Sequence, residues 1–320
     1  MPPATQTPFI AYAQLALSMF TVGLCVTAGK AATEHLPVVV LAGVRCFAAA
    51  LALWPLARRE RARVAMNGRD RRDLFLQALF GVFGFTLLML GGVRLTGATE
   101  AGLIAATMPL AILVLAMPML GEGLSPRALR AALIASLGIA LVSGLRGDTL
   151  LDADTLLEHA SPNRSAWLGN MLVVGAVVCE ALYTIFAKRL ASRLPPATMA
   201  LRLNLLGLLL FAPLLPFQPW GAVVEQAPAW VWGLGALYGV GTSAVALVLW
   251  YRGTQTVRGG TAGLFTVFLP LGAMVSATLF LGETIAAHHV AGGLVIALAL
   301  AIGLSRGGGG VRPWLRRPRV

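Results

Sequence analysis

Acidic side chains are scarce in this chain: 13 Asp and Glu among 320 residues, against 25 Lys and Arg, with charged residues of both signs making up only 12%. A soluble domain carries roughly 25% charged residues, so an ordinary water-facing surface cannot be built from this composition. Cysteine is nearly absent. Cys25, Cys46 and Cys179 all fall in apolar stretches and none has CxxC spacing, which argues against a disulfide framework and a zinc site. The first eight residues contain no Lys or Arg, so the following apolar stretch is expected to be a retained helix and not a secretory leader, although TAGKAA at 27–32 resembles a cleavage site. HExxH, GxSxG, a phosphate-binding loop and paired aspartates are missing as well, which leaves no constellation for an intramembrane enzyme. No cofactor and no metal site is expected. His35, His159, His288 and His289 fall in or near connections between apolar runs.

What fills the chain instead is apolar sequence, 58% of residues, with a mean hydropathy of +0.79. Runs of about 20 apolar residues, long enough to cross ~30 Å of hydrocarbon, recur at 9–29, 36–57, 74–94, 98–120, 127–145, 166–188, 197–217, 230–251, 261–281 and 287–305. The runs are continuous, without the alternation of barrel strands, and lipid accepts only backbones whose hydrogen bonds close internally. The expectation is an all-α integral membrane protein with ten transmembrane helices.

The basic residues alternate by loop. One side carries the arginines of 57–73, then Arg127, Arg130, Lys188, Arg189, Arg193, Arg252, Arg258 and the arginines of the C-terminal tail, whereas the other has only Lys30, Arg94, Arg146 and Arg164. That asymmetry puts both termini in the cytoplasm of a cell whose inner membrane the chain crosses. The net charge of +12 is therefore a topology signal, and nucleic acid is not an expected partner. Tryptophans near span ends, among them Trp54, Trp167, Trp230 and Trp250, agree with these boundaries. The tail SRGGGGVRPWLRRPRV suits anionic lipid at the cytoplasmic face, or serves only as a disordered end that fixes topology. A homodimer is a further expectation.

Shifting the chain by 161 residues lays 101–122 on 262–283 with ten identities, including Pro109 on Pro270 and Gly121-Glu122 on Gly282-Glu283. The repeat unit is five spans: residues 1–145, then a polar extracytoplasmic loop at 146–165, a second unit at 166–305 and a basic cytoplasmic tail at 306–320. An odd number of crossings turns the second copy upside down, giving two inverted five-helix repeats. Secondary transporters use that architecture, with matched Pro-interrupted helices near the site. Pro109 and Pro270 are expected to kink their helices and free carbonyls near residues 105 and 266, or merely to shape packing.

The two Pro-to-LGE stretches, with LGEGLS at 120–125 and LGETIA at 281–286, together with VCEALYTIFAKRL at 178–190, resemble EamA-type members of the drug/metabolite transporter superfamily across nearly all of 9–305. The resemblance implies ten-helix, inverted-repeat carriers of small metabolites, many of them bacterial exporters of amino acids. The acidic 146–165 loop and the basic tail depart from that pattern.

Glu180 lies well inside the sixth span, where a carboxylate costs roughly 2.5–3.5 kcal/mol on insertion scales, so it is expected to face the bundle interior. There it would carry a coupling proton, meet a cationic part of the cargo, or form a static pair with Arg45 of the second span, which could itself meet a substrate carboxylate. Tyr183, Asn204, Tyr238, Thr107 and Thr266 are further candidates at cavity depth, each with packing as the plainer explanation. Glu122 and Glu283 are expected to lock turns: each follows a Gly that can end a helix, close to exposed amides at the start of the next. The function expected is alternating-access transport of a small-molecule substrate, with a channel-like pore or, further off, an enzyme as alternatives.

Overall fold

The computed structural model describes residues 8–60, 66–96, 98–123, 125–142, 164–191, 193–282 and 287–304. Glu283, most of the 146–165 loop and the 306–320 tail lie outside the described residues. Among the described residues ten long helices follow one another: α1 (Pro8–Thr33), α2 (Val38–Arg59), α3 (Gly68–Thr96), α4 (Glu100–Leu120), α5 (Pro126–Val142), α6 (Ser165–Ala191), α7 (Pro196–Phe217), α8 (Ala229–Thr254), α9 (Gly259–Phe280) and α10 (Ala287–Leu304). Among the described residues nine are long and apolar enough to cross a membrane, and α5 is described over 17 residues. There is no strand among the described residues. A short helix, Trp220–Gln226, stands between α7 and α8, where the sequence suggested only a connection.

The helices start and stop where local chemistry lets them. Asn67 caps α3 through a reciprocal box with Asp70, and Ser125 accepts the Ala128 amide at 3.0 Å to start α5. Gly121 and Gly282 end their helices at φ of 66° and 68°, the left-handed conformation in which a Cβ would be strained, so the repeated Leu-Gly-Glu marks two equivalent helix stops.

Four helices are interrupted in matched pairs. A turn at 106–107 splits α4 ahead of the segment Met108–Leu120, and a 3₁₀ turn at Phe265–Val267 splits α9 ahead of Phe268–Leu281. Pro109 and Pro270 thus stand in the first turn of a restarted helix, where a missing N–H matters little. In α3 and α8 the backbone widens to a π-helix at Ala78–Gly84 and Val240–Ala246, stretches 162 residues apart.

The halves interlock. α1 packs on α9 as α6 packs on α4; α1 meets α8 as α6 meets α3; α2 pairs with α7, α4 with α9 and α5 with α10. Exchanging the halves therefore reproduces the principal contacts. Glycines permit the closest crossings: a Cβ on Gly23 would sit 2.1 Å from the Leu269 carbonyl oxygen, and one on Gly272 would sit 2.3 Å from that of Phe20. Gly235 and Gly239 likewise bring α8 onto Leu41 and the Arg45 backbone of α2. The largest buried cluster includes Leu15, Leu53, Leu190, Trp250 and Tyr251 toward the helix ends that carry the basic loops, and extends along α7 to Phe211.

Candidate functional site

Above that plug lies a cavity of about 390 Å³ lined by every helix except α10. The lining positions run from mid-helix toward the end opposite the basic loops, as Gly81, Phe85 and Met89 do along α3. Arg45, Glu180, Tyr183, Asn204, Tyr238, Thr266 and Pro270 all line it. Thr107 and Pro109 do not: Thr107 is exposed and donates its hydroxyl to the Ile104 carbonyl at 2.6 Å, and Pro109 is buried in α4. Thr266 makes the equivalent bond to Gly263 at 2.7 Å but faces the cavity.

The π-helical stretch of α8 forms one wall. Widening the helix leaves carbonyls that need other donors. Asn204 of α7 supplies one bond to Ser243 O at 2.8 Å while also holding Ala200 O at 2.9 Å, and Ser18 of α1 donates to Ala246 O at 2.6 Å. Asn204 therefore has a demonstrable scaffold role at the cavity edge. Thr242 and Ser243, also in the lining, bring hydroxyls to the same wall. Opposite, the matching stretch of α3 presents Gly81, whose bare backbone makes room for Tyr183: an added Cβ would lie 2.0 Å from the ring.

Arg45 and Glu180 face the same cavity, yet neither forms an ion pair within 4.0 Å with the other or with another charged described residue. The static Arg45–Glu180 pair is thus absent from this conformation. A guanidinium offers a planar fork of donors to a carboxylate, and a carboxyl group can take an ammonium or a proton. The cavity holds both.

Glu122 reaches across the halves: its carboxylate accepts the Gly259 amide at 2.6 Å and the Gly260 amide at 3.0 Å, capping α9 and not the neighbouring α5. Glu60, which the sequence did not single out, does the same for α7 with the Ala197 and Thr198 amides at 3.0 and 2.7 Å. Both span 137 to 138 residues, a spacing visible only once the partners are known. Lys188 reaches Thr254 O at 2.5 Å, Arg189 reaches Met119 O at 2.7 Å and Gln255 reaches Ala191 O at 2.9 Å, satisfying helix C-termini on the same side. Deeper, Gln77 donates to the Tyr251 hydroxyl at 2.8 Å, whereas Gln77 Oε1, Thr184 Oγ1 and Trp250 Nε1 are buried without partners.

An all-helical membrane protein with a largely apolar cavity that holds an arginine and a glutamate between two similar halves belongs, by that build, with solute transporters. Known proteins say the same. The model of the EamA-like transporter family matches twice, over residues 9–144 and 167–304, and the chain belongs to that family. An uncharacterized transporter, YetK, of Bacillus subtilis (strain 168) is 30% identical over 283 residues, 88% of this chain and 83% of its own length. A probable terminal-alkyne amino-acid exporter of Streptantibioticus cattleyicolor is 30% identical over 247 residues, 75% of this chain and 73% of its own. A solved crystal structure shares the fold with a TM-score of 0.74, covering 92% of this chain and 97% of that one at 16% identity. The family is one of transporters, not of enzymes.

Proposed function

We propose that this protein is a secondary transporter that exports small amphoteric metabolites, amino acids foremost, by alternating access between two inverted five-helix repeats, residues 1–145 and 166–305. The observation that carries the reading is the pairing of an unspent guanidinium, Arg45, with an unspent carboxyl, Glu180, in one cavity of about 390 Å³ between the halves. Arg45 takes the substrate carboxylate; Glu180 takes its ammonium group or a coupling proton; Tyr183, Tyr238 and Thr266 shape the site. The name of the S. cattleyicolor relative supports the cargo class and the direction. Basic loops and both termini belong to the cytoplasmic side of an inner membrane, where the tail meets anionic lipid, and two copies form a homodimer.

In this conformation the cytoplasmic end is the closed one. The caps from Glu60 and Glu122 join the halves there, and the unpartnered polar atoms of Gln77, Thr184 and Trp250 lie in the plug. Opening that end would give those atoms water, which offsets part of the lost packing.

Counterflow of amino acids in proteoliposomes tests the proposal. Saturable exchange that is lost in Arg45→Gln, and that loses its pH dependence in Glu180→Gln, is expected. Unchanged rate and pH profile in Glu180→Gln would overturn the coupling role, and uncoupled, non-saturating conductance would replace the carrier with a channel.

A further inference from the structure

A second concavity, about 370 Å³, lies away from the central cavity, between the first turns of α3 and the first half of α7. Arg71, Leu74 and Phe75 form one wall; Arg202, Leu205 and Leu209 form the other. Each triplet follows helical i, i+3, i+4 or i+7 spacing, so each is one stripe along its helix. Both helices begin at the basic end of the molecule, which places the two arginines near that end and the leucines farther into the membrane. Arg202 is about 9 Å along α7, and Leu209 is ~10 Å beyond it, at 1.5 Å per residue. The groove is therefore charged at its mouth and apolar along its length.

The arginines are available. Neither Arg71 nor Arg202 has a carboxylate within 4.0 Å among the described residues, whereas neighbouring Arg72 pairs with Asp73 at 3.2 Å and Arg193 with Asp70 at 2.9 Å. The Arg202 guanidinium rests against the Met66 sulfur, which supplies no charge. The walls are pre-set, because the Asn67–Asp70 box fixes the start of α3 and Glu60 fixes the start of α7. In the first turn of α8, the repeat counterpart of α3, Trp230 and Trp232 stand where α3 has arginines, so the charge is not a by-product of duplication.

We propose that this groove binds one anionic phospholipid of the cytoplasmic leaflet, with Arg71 and Arg202 on the headgroup phosphate and an acyl chain along Leu205 and Leu209. Arg71 and Arg202 line one concavity near the basic end, a guanidinium suits a phosphate, and a lipid is the anion that also fills the apolar length. The inference rests on the orientation proposed above, with the basic loops cytoplasmic.

Native mass spectrometry of the full chain released from detergent, with phosphatidylglycerol or phosphatidylcholine added, tests it. Wild type is expected to retain phosphatidylglycerol at least about tenfold better than the Arg71→Gln/Arg202→Gln variant, with Arg72→Gln behaving as wild type. Leu209→Trp fills the apolar end without touching charge and is expected to lose the lipid too. Thermal midpoints confirm that the variants compared are folded. Equal retention in the double variant, equal retention of phosphatidylcholine, or complete displacement by inorganic phosphate would overturn the proposal. Labelling Arg69→Cys with an impermeant maleimide on intact cells reports orientation separately: labelling from outside sinks the topology, whereas protection combined with loss of lipid selectivity sinks only the groove.

Discussion

Arg45 and Glu180 were each legible as residues that need a reason, because charge inside an apolar run is costly wherever it sits. That both turn toward one cavity without touching was not legible, since the distance between α2 and α6 side chains depends on packing that no local pattern encodes. The arrangement separates charge from geometry in a testable way. Arg45→Lys keeps the charge but loses the planar fork, and it is expected to raise the KM for an amino acid about tenfold or more while leaving maximal exchange closer to wild type. Glycine gives a second residue-scale prediction. Gly121→Ala and Gly282→Ala force a Cβ into the left-handed region and should each lower stability by roughly 1–2 kcal/mol, measured by thermal unfolding in detergent. The helix-stopping role of these glycines could be read from Leu-Gly-Glu alone. The partner of Glu122 could not, because every helix start exposes amides and the sequence does not say which of them a given carboxylate reaches.

At the scale of elements, ten apolar runs were visible because lipid demands unbroken hydrophobicity, and the duplication was visible through its prolines. The interruptions proved finer than a proline kink. α4 and α9 break just ahead of Pro109 and Pro270, and α3 and α8 widen into π-helical stretches that no residue type announces. These irregular segments supply Gly81, Thr242, Ser243 and Thr266 to the cavity wall. Gly81→Val should displace the Tyr183 ring and reduce exchange in proteoliposomes strongly, because the added atoms would occupy the ring's present position. Removing Asn204 acts on the same segment differently. Asn204→Leu leaves the Ser243 carbonyl without its donor and is expected to cost about 1–3 kcal/mol in thermal stability, with a loss of transport from a disordered wall.

For the whole molecule, the cross-half caps tie the two halves together at the basic end, and in the proposed cycle they act as a latch. Each carboxylate holds two amides of a helix start in the other half, so Glu60→Ala and Glu122→Ala should each destabilise the closed form by roughly 1–2 kcal/mol and increase labelling of cysteines placed in the plug. A short bis-methanethiosulfonate bridge between Glu122→Cys and Gly260→Cys is expected to stop exchange, with activity returning on reduction. Exchange that continued at full rate through the bridge would show that the contact does not separate during the cycle.

Pro55 of α2 and Pro213 of α7 stand 158 residues apart, and at that spacing the counterpart of Glu60 is Gln218, which donates its side-chain amide to the Leu214 carbonyl at 3.0 Å. At this pair of positions among the described residues, only the first half reaches across to the second. In the proposed cycle a carrier held shut at the basic end spends little time open there, so half-saturation from that face needs more cargo than from the other, while at equal concentrations the two one-way fluxes stay equal.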